Sequence, residues 1–560
     1  MTPMADAEND APLSVATLFA PVFAAVTLLH LTLLRLPYFW DEGGYYIPAA
    51  WDFLRLGTVI PVTTVRNAHP PLPSVLLAGW WKIFGFHILS TRLLMCVITT
   101  FALLAVFQLA RMFAGQRTAL AVMVLTAIYP VWFAQSTLAH ADMFAAAFTL
   151  WALCFYADRP GWTVGSSHRS SQRNAAWVAV LFSLACMAKE TAIVLPAALF
   201  CFEIYVLLRP SSTEKKVGIA SLGRETDLTR LAYLIALAVP AVVLALWYAY
   251  HHHATGFTFG NPEYLRYNAT ANMSVGRTLL SLRHRAVHLT THMNLWLPML
   301  AAAAAVALPP RFSTPVLPRR ALHLIVVLIA TQWIAFSFLG GALLTRYVLP
   351  AYPLLLIACV AIWRSRIRLW WLLAAGTLVA FAIACRVNPP YPFAPEDNLA
   401  YRDMIVVHQE GIDYVQTHYA GATVLTAWPV LADLQRPELG YVSTPMKTTF
   451  VDNFSMPEMK RIAAAPETYD VAIVFSTKYD PPAGGLNLAG ASRKNDTRFY
   501  DWHSDLLPGE AAALLHGRIA WEDDRNGEWA AVLVFPRGYD VLLRMPQVHG
   551  PSLRCVEGKL

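Results

Sequence analysis

The chain has 560 residues, of which 56% are hydrophobic and 14% are charged, and its mean hydropathy is +0.44. Soluble proteins carry about a quarter charged residues, so this composition excludes an ordinary soluble protein and indicates a polytopic membrane protein. The formal net charge is +7, but the basic residues cluster in particular loops, so nucleic-acid binding is a poor explanation of the excess.

Apolar segments recur along the chain as far as residue 384, at or near the roughly 20 residues that a helix needs to cross a bilayer. In chain order they cover residues 14–36, 88–113, 119–138, 140–156, 175–187, 191–208, 231–250, 294–308, 322–339, 347–363 and 369–384. The first follows a polar start without Lys or Arg and is too long for the core of a cleaved signal peptide, so we expect it to remain as an anchor. The sequence therefore predicts a mainly α-helical membrane domain over residues 1–387, with about eleven transmembrane helices.

Basic residues occur in every second turn between these segments, and their placement predicts the topology. There are five basic turns: the first contains Arg111 and Arg117; the second Arg159, Arg169 and Arg173; the third Lys215, Lys216 and Arg224; the fourth Arg311, Arg319 and Arg320; and the fifth Arg364, Arg366 and Arg368. The positive-inside rule makes their side cytoplasmic, so the N-terminus is inside and the last crossing leaves residues 388–560 outside. We expect a multi-pass protein of the inner (plasma) membrane, with the first external loop at residues 37–87.

The composition changes at residue 388. Prolines from Pro389 to Pro395 mark a stiff linker, and beyond it short runs rich in Val, Ile and aromatic residues alternate with helical segments. The predicted strands cover residues 423–427, 469–475 and 529–535, and the predicted helices cover 408–418, 457–465 and 508–516. This alternation predicts an extracytoplasmic α/β domain over residues 388–560, in which we find no glycine-rich phosphate loop and no catalytic motif.

Two adjacent carboxylates, Asp41 and Glu42, stand where the chain leaves the first apolar segment. Charged groups beside hydrocarbon are costly, so their presence at this border needs a reason. One interpretation is that Asp41 caps a helix beginning near Gly44. The other is that the pair supplies a general base and a neighbour that holds a metal or an acceptor hydroxyl.

The same loop is rich in aromatic side chains. Tyr45 and Tyr46 suit stacking on the apolar face of a sugar, and they equally suit an interfacial aromatic belt. His69 precedes a pair of prolines that fix the local backbone. Its imidazole is either solvated or faces an anionic head group.

Later segments place further polar residues at the same external face. Asp142 begins the fourth segment, where it either caps the helix or acts together with Asp41. Lys189 either snorkels, pairs with Glu190, or binds phosphate as a point charge. Arg346 has the same choice between a structural and a phosphate-binding interpretation, and its planar fork suits phosphate better.

Five motifs together resemble the GT-C class of membrane glycosyltransferases, and within it the bacterial branch related to dolichyl-phosphate-mannose protein mannosyltransferases and lipid A aminoarabinose transferases. They are Trp40-Asp41-Glu42-Gly43-Gly44-Tyr45, His69-Pro70-Pro71-Leu72, Phe84-Gly85, Ala188-Lys189-Glu190 followed by Pro196, and Arg346-Tyr347-Val348-Leu349-Pro350 with Pro353. The match extends over residues 13–384.

The resemblance implies an enzyme that takes a hexosyl or pentosyl group from a polyprenyl-phosphate carrier at the outer membrane face. Such an enzyme inverts the anomeric centre and passes the sugar to a hydroxyl of a lipid, glycan or protein. The expected catalytic residues are Asp41 as base, Glu42 beside it and Asp142 as second acid. The expected donor-phosphate contacts are Lys189, Arg346 and His69, and the expected substrate-binding residues are Tyr45, Tyr46 and Tyr347.

Two departures leave the substrates open. His69 stands where the aminoarabinose transferases have Lys, and residues 388–560 are not the corresponding domain of the eukaryotic mannosyltransferases. A divalent metal held by Asp41 and Asp142 also stays open. The alternatives are a polymerase or ligase of lipid-linked glycans, and a transporter or flippase, although transporters typically have charges in mid-span and broken helices in paired halves.

Overall fold

The computed structural model describes residues 13–159, 171–208, 227–260, 262, 274–313, 315–339, 343–465, 468–479, 481, 493–500 and 502–535. Within these ranges the chain is helical as far as His418, and a small sheet with short helices follows. Some of the basic residues used for the topology, namely Arg169, Lys215, Lys216 and Arg224, lie outside the described residues.

The helical part contains fifteen described α-helices before the linker. They are α1 (Val15–Leu29), α2 (Ile47–Leu56), α3 (Leu72–Phe84), α4 (Ile88–Ala114), α5 (Gln116–Ile128), α6 (Pro130–Gln135), α7 (Ala141–Ala157), α8 (Ser171–Ala188), α9 (Val194–Leu208), α10 (Asp227–Thr255), α11 (Val275–Thr290), α12 (Trp296–Val306), α13 (Arg319–Phe338), α14 (Ala351–Arg366) and α15 (Trp370–Ala384). Every predicted apolar segment overlaps one of these helices. The segment 119–138 is split into α5 and α6, because Tyr129, which precedes Pro130, is extended.

Four described helices are long and apolar enough to cross a membrane: Ile88–Ala114, Glu190–Leu208, Leu228–Thr255 and Arg319–Phe338. A fifth crossing results if Val275–Asn294 and Trp296–Val306, which meet at 95°, form one bent span. Several of the other predicted segments are apolar helices too short for this test, such as α7 and α15. A multi-pass helical architecture is therefore present in the described part of the chain, and the count of eleven crossings stays a prediction.

The interior of the helical part is formed around α4, whose most apolar stretch is 72% buried, against 22% for the span that contains α9. Helices α7 and α14 are also buried along most of their length. We therefore place α4, α7 and α14 at the centre and α9 at the periphery. The turns that begin α7 and α14 are consequently held on a rigid interior frame.

The C-terminal part begins with α16 (Ala400–His418) and folds around a five-stranded sheet. Its other elements are β1 (Thr423–Thr426), α17 (Val430–Gln435), β2 (Lys447–Phe450), α18 (Met456–Ala463), β3 (Val471–Phe475), α19 (Arg493–Tyr500), α20 (Pro508–Leu514), β4 (Arg518–Arg525) and β5 (Glu528–Val534). The strand order is β2-β1-β3-β5-β4, with β1 parallel to β2 and β3, and β5 antiparallel to β3 and β4. The sheet confirms that an α/β fold follows the helical part, whereas the boundary at residue 388 stays a prediction.

The C-terminal part packs directly on the loop that carries Asp41. The backbone N–H of Tyr38 donates to the carbonyl of Leu439 at 3.1 Å, and the Tyr441 hydroxyl donates to the Tyr38 carbonyl at 3.3 Å. A Cβ at Gly44 would lie 2.6 Å from the Trp428 ring, so only glycine allows this approach. The connection between β1 and β2 therefore forms one wall of the loop.

Candidate active site

The turn around Asp41 has an unusual backbone. Trp40 adopts a φ of 45°, a left-handed conformation that is rare for bulky residues, and Glu42–Tyr46 continues as a single π-helical turn. Such strained conformations persist where the surroundings enforce them, frequently at functional sites. The Asp41 side chain makes no capping hydrogen bond to this turn and is 39% exposed. The capping interpretation is therefore not what the geometry supports.

Glu42, in contrast, is fully buried and has every oxygen engaged. Its two oxygens accept from Arg92 at 2.5 and 3.0 Å, from the Ala139 N–H at 2.6 Å and from the Phe39 N–H at 2.8 Å. Arg92 is itself buried and also donates to the Pro37 carbonyl at 2.9 Å. Glu42 thus fixes the turn to α4 and to the start of α7. The prediction that it is catalytic stays untested, and these contacts favour a positioning role.

The predicted acids and cations meet around the Arg346 guanidinium. Arg346 is buried in the turn before α14, and its three nitrogens face three carboxylates. One Nη donates to Asp41, the other donates to Glu396 at 2.6 Å, and Nε lies 3.3 Å from Asp142. Asp41 and Arg346 are 305 positions apart in sequence, so this convergence is a property of the fold.

Lys189 lies on the other side of Asp142. Its Nζ donates to Asp142 at 2.5 Å and stands 4.0 Å from the centre of the Tyr347 ring. It precedes a single 3-10 turn, Glu190–Ile193, and its own extended backbone directs it away from that turn. Lys189 therefore neither pairs with Glu190 nor extends to the surface, the two structural interpretations open from the sequence.

His69 contacts the same turn through Glu190. Its Nδ1 is 3.0 Å from a carboxylate oxygen of Glu190, and the ring contacts Tyr45 edge-on at 5.3 Å between centroids and Tyr46 face-on at 6.3 Å. The solvated interpretation of His69 does not fit these contacts. The structure thereby brings His69, Tyr45 and Tyr46 together beside the Lys189 turn.

Sequence reasoning missed two acids of the linker. Glu396 and Asp397 lie in a short 3-10 turn, Pro395–Asp397, and both are buried. Asp397 accepts from the Thr345 hydroxyl and pairs with His292 Nε2 at 2.9 Å. A signal was present, because two consecutive acids follow a run of prolines directly after the last apolar segment.

Burial also changes the protonation of Glu396. Removal from water raises the pKa of this carboxyl to about 8, although the Arg346 guanidinium opposes the shift. Neighbouring carboxylates Asp41, Asp397 and Asp142 add to the increase. Near neutral pH, Glu396 is therefore largely protonated, and the negative charges that face Arg346 come mainly from Asp41 and Asp142.

A small cavity of about 30 Å³ lies at this cluster. Asp142, Lys189 and Arg346 line its polar end. The remaining lining comes from α7, the turn Glu190–Ile193, α9, α13 and the turn before α14. It is mostly apolar, with Ala145, Ala146, Leu195, Phe336, Tyr347 and Pro350 among its members. The cavity therefore has a charged end and a mostly apolar wall.

The arrangement does not present a metal site. Arg346 bonds Asp41 and lies against Asp142, so a cation already stands between the two carboxylates. Among the described residues, no group of three or more His, Cys, Asp or Glu side chains is arranged to hold a metal ion. We derive no step through a metal.

Comparison with known families and structures agrees with this fold. Residues 68–248 match the family model described as dolichyl-phosphate-mannose-protein mannosyltransferase. The crystal structure of ArnT from Cupriavidus metallidurans bound to undecaprenyl phosphate superposes with a TM-score of 0.50 and 13% identity, covering 92% of this chain and 97% of that one. The apo structure of the same protein gives 0.50 and 13%, covering 93% and 98%. No curated protein matches the sequence.

A third structure, the Archaeoglobus fulgidus oligosaccharyltransferase in complex with Zn and sulfate, is similar at a TM-score of 0.46 and 11% identity, covering 82% of this chain and 68% of that one. The family match and the ArnT likeness confirm the resemblance inferred from the motifs: this chain has the fold of the GT-C class of membrane glycosyltransferases.

Proposed function

We propose that this protein transfers a sugar from a polyprenyl-phosphate carrier to a hydroxyl of a lipid, glycan or protein acceptor, with inversion at the anomeric carbon. The observation that supports this most is the cavity with two cations at its polar end and a mostly apolar wall. A lipid phosphate has the matching form, a charged head on a long hydrocarbon chain. The ArnT structure with the same fold was obtained with undecaprenyl phosphate bound, which agrees with this class of donor.

The reaction requires one base and a stabilised leaving group. The acceptor oxygen attacks the anomeric carbon, its proton passes to the Asp41 carboxylate, and the bond from that carbon to the phosphate oxygen breaks with its electron pair leaving on the phosphate. Asp41 is the half-exposed acid of the cluster and so can meet an acceptor. Lys189 and Arg346 stabilise the charge that develops on the leaving phosphate.

Arg346 also links the two substrates. Without donor, one of its nitrogens is bonded to Asp41, which neutralises the base. A donor phosphate competes for that nitrogen, and Asp41 is released to accept a proton only when the phosphate has taken its place. This exchange favours binding of donor before acceptor.

Aromatic and imidazole groups complete the donor site. We assign the sugar to the side of the cluster near Tyr45, Tyr46 and Tyr347, whose rings suit the apolar face of a pyranose or furanose. His69 joins this group through its contacts with both Tyr45 and Tyr46. The Glu190 carboxylate lies 3.0 Å from its Nδ1 and holds the ring beside these tyrosines.

The topology belongs to the same proposal. We place the N-terminus in the cytoplasm of a bacterial-type inner membrane and the site with residues 388–560 on the outer face, from the distribution of basic turns. Fusion of alkaline phosphatase to the C-terminus should give an active reporter, and fusion of a green fluorescent protein there should stay dark. The reverse pattern would contradict the orientation.

The activity test uses purified protein and a panel of radiolabelled polyprenyl-phosphate sugars. The wild type should transfer sugar from at least one donor, and Asp41→Asn should reduce the rate by about 10²- to 10⁴-fold while folding normally. Asp452→Asn, an exposed carboxylate of the C-terminal part, is the matched control and should retain the wild-type rate.

Three outcomes separate the alternatives. An Asp41→Asn protein as active as the wild type would remove Asp41 from the base position. Extension of an existing lipid-linked glycan, with no transfer to a simple hydroxyl, would favour a polymerase or ligase. Movement of labelled lipid across a liposome without any transfer would favour a flippase.

A further inference from the structure

The linker that follows α15 is fixed at both ends and extends into the donor site. Asn398 joins the two ends of the linker. Its side chain donates to the Ala384 carbonyl at 3.3 Å and accepts from the Ala400 N–H at 2.8 Å. The Leu399 N–H donates to the Cys385 carbonyl at 3.0 Å. The end of the last predicted span and the start of α16 are thereby joined at one point.

From this anchored loop, two consecutive acids bond two consecutive residues of the Arg346 turn. Glu396 accepts from Arg346 at 2.6 Å, and Asp397 accepts from the Thr345 hydroxyl. The Glu396 backbone carbonyl also accepts from the Gln135 side chain at 3.3 Å, and this hydrogen bond attaches the loop to the end of α6. The contact is therefore built from several elements and is not a flexible surface pair.

The remaining oxygen of Glu396, Oε1, is buried and has no hydrogen-bond partner in the described structure. An ionised carboxylate would leave this oxygen without compensation, whereas a protonated carboxyl carries less charge there. The charged and titratable groups around it are Arg346 in direct contact and Asp41, Asp142 and Asp397 further away. His140 completes the set, because its Nδ1 lies 3.2 Å from the same Arg346 nitrogen that bonds Glu396.

We propose that Glu396 is a positioning residue of the donor site, which orients Arg346 and, through its own protonation, sets how much positive charge Arg346 offers to the carrier phosphate. The inference rests on the proposed function and deepens it. With Glu396 neutral, two cations, Lys189 and Arg346, balance Asp41 and Asp142. Ionisation of Glu396 adds a third negative charge at bonding distance from Arg346 and repels the phosphate.

This assignment gives the linker a role beyond connecting two parts of the protein. The position of α16 determines where Asn398 and the 3-10 turn stand, and the turn determines where Glu396 meets Arg346. Displacement of the C-terminal part, for example on acceptor binding, would therefore reach the donor phosphate through a short chain of bonded groups.

The test measures binding of undecaprenyl phosphate to the full-length protein in nanodiscs from about pH 7 to about pH 9. The pKa of Glu396 is about 8, so the fraction of protein in which Glu396 is protonated falls about tenfold from pH 7 to pH 9. If the protonated form binds the phosphate, the affinity of the wild type should therefore fall about tenfold across this range. Glu396→Gln keeps an acceptor for Arg346 and cannot ionise, so its affinity should change by less than about twofold. The titration of the probe itself is common to both proteins.

Steady-state kinetics with a polyprenyl-phosphate sugar provide an independent test. The phosphodiester of that donor does not change its charge between about pH 7 and about pH 9, so any pH dependence comes from the protein. The alkaline loss should occur in the donor KM and not in kcat, and Glu396→Gln should abolish it. The matched control is Glu458→Gln, a carboxylate of α18 paired with Arg461, which should show the same pH dependence as the wild type.

Equal pH dependence of wild type and Glu396→Gln, or a wild type without pH dependence, would overturn the proposal. If Glu396→Gln does not fold, Glu396→Asp replaces it; the shorter side chain should shift the midpoint by about half a pH unit or more, and an unchanged midpoint would overturn the proposal equally. Failure of the wild type to transfer sugar from any donor would instead contradict the proposed function.

Discussion

The buried ion pair between Glu42 and Arg92 allows a decisive test of what the second acid of the Asp-Glu motif does. Glu42→Gln removes the only ionised partner that the described structure gives to a fully buried guanidinium, while Arg92 keeps its bonds to the backbone carbonyls of Pro37 and Thr137. Breaking a buried pair by neutralising one member typically costs about 3–5 kcal/mol, because the other charge is left uncompensated. That is a large part of the roughly 5–15 kcal/mol that separates folded from unfolded domains.

The expected effect on melting follows from this magnitude. In a cooperative unit of about 150–250 residues, each kcal/mol lowers the melting temperature by about 2–4 °C, so Glu42→Gln should lower it by about 6–20 °C. Intrinsic tryptophan fluorescence of the detergent-solubilised protein during a temperature ramp measures the change. The double variant Glu42→Gln with Arg92→Met removes both charges and should recover at least half of the loss.

The opposite outcome is equally clear. If Glu42 takes part in chemistry instead, Glu42→Gln should melt like the wild type and lose only its activity. A normal melting temperature with a rate reduced by about 10²-fold or more would therefore refute the positioning role argued from its four contacts.

Three further predictions concern separate parts of the molecule. Lys189→Met should raise the donor KM by about 10- to 100-fold through loss of one charged phosphate contact, with exposed Lys460→Met as control, and an unchanged KM in transfer assays would remove Lys189 from the donor site. Burial raises the pKa of Glu528 in β5 to about 8, so its contribution to stability is complete below the ordinary glutamate pKa of about 4.3 and is lost as the pH rises to about 8. The melting temperature should accordingly fall as the pH rises from about 5 to about 8 in the wild type, level off above that, and stay flatter in Glu528→Gln; parallel curves would contradict this reasoning. Gly44→Ala should lower activity and melting temperature because its Cβ would meet the Trp428 ring at 2.6 Å, and adding Trp428→Leu should restore both; a harmless Gly44→Ala would show that the C-terminal part does not press on the turn.

The helices were largely predictable because their signal is local. Apolar runs and prolines determined most of the helix positions in the helical part, and Pro130 alone explains why residues 119–138 became two helices. The strands β1, β3 and β5 were predictable for the same reason, since they are continuous apolar runs.

The sequence did not reveal the two edge strands. β4 contains Glu522, Asp523 and Asp524 and is exposed along most of its length, and β2 is a four-residue strand that begins at Lys447. An edge strand has a neighbour on one side only, and its other side faces water. Charged or short edge strands therefore lack the alternation of apolar and polar residues by which a strand is recognised in the sequence. Their existence follows only from pairing with neighbours that the chain supplies elsewhere.

The motifs identified the candidate site residues, but not the way in which they interact. A pair of Lys189 with Glu190 was one interpretation open from the sequence, whereas the fold joins Lys189 to Asp142 and Glu190 to His69. Such pairings depend on the positions of turns far apart in the chain, and no local pattern encodes them. Glu396 was missed although a local signal was present, because two acids after a run of prolines do not show that the linker meets Arg346.

The most direct measurement of the central claim is the stoichiometry of product formation. Purified wild-type protein in nanodiscs is given its labelled polyprenyl-phosphate sugar and acceptor, and mass spectrometry quantifies both the glycosylated acceptor and the free polyprenyl phosphate. The account predicts that one polyprenyl phosphate appears for each sugar transferred, with both products lost together in Asp41→Asn. Transfer without release of polyprenyl phosphate, or release as a diphosphate, would contradict it.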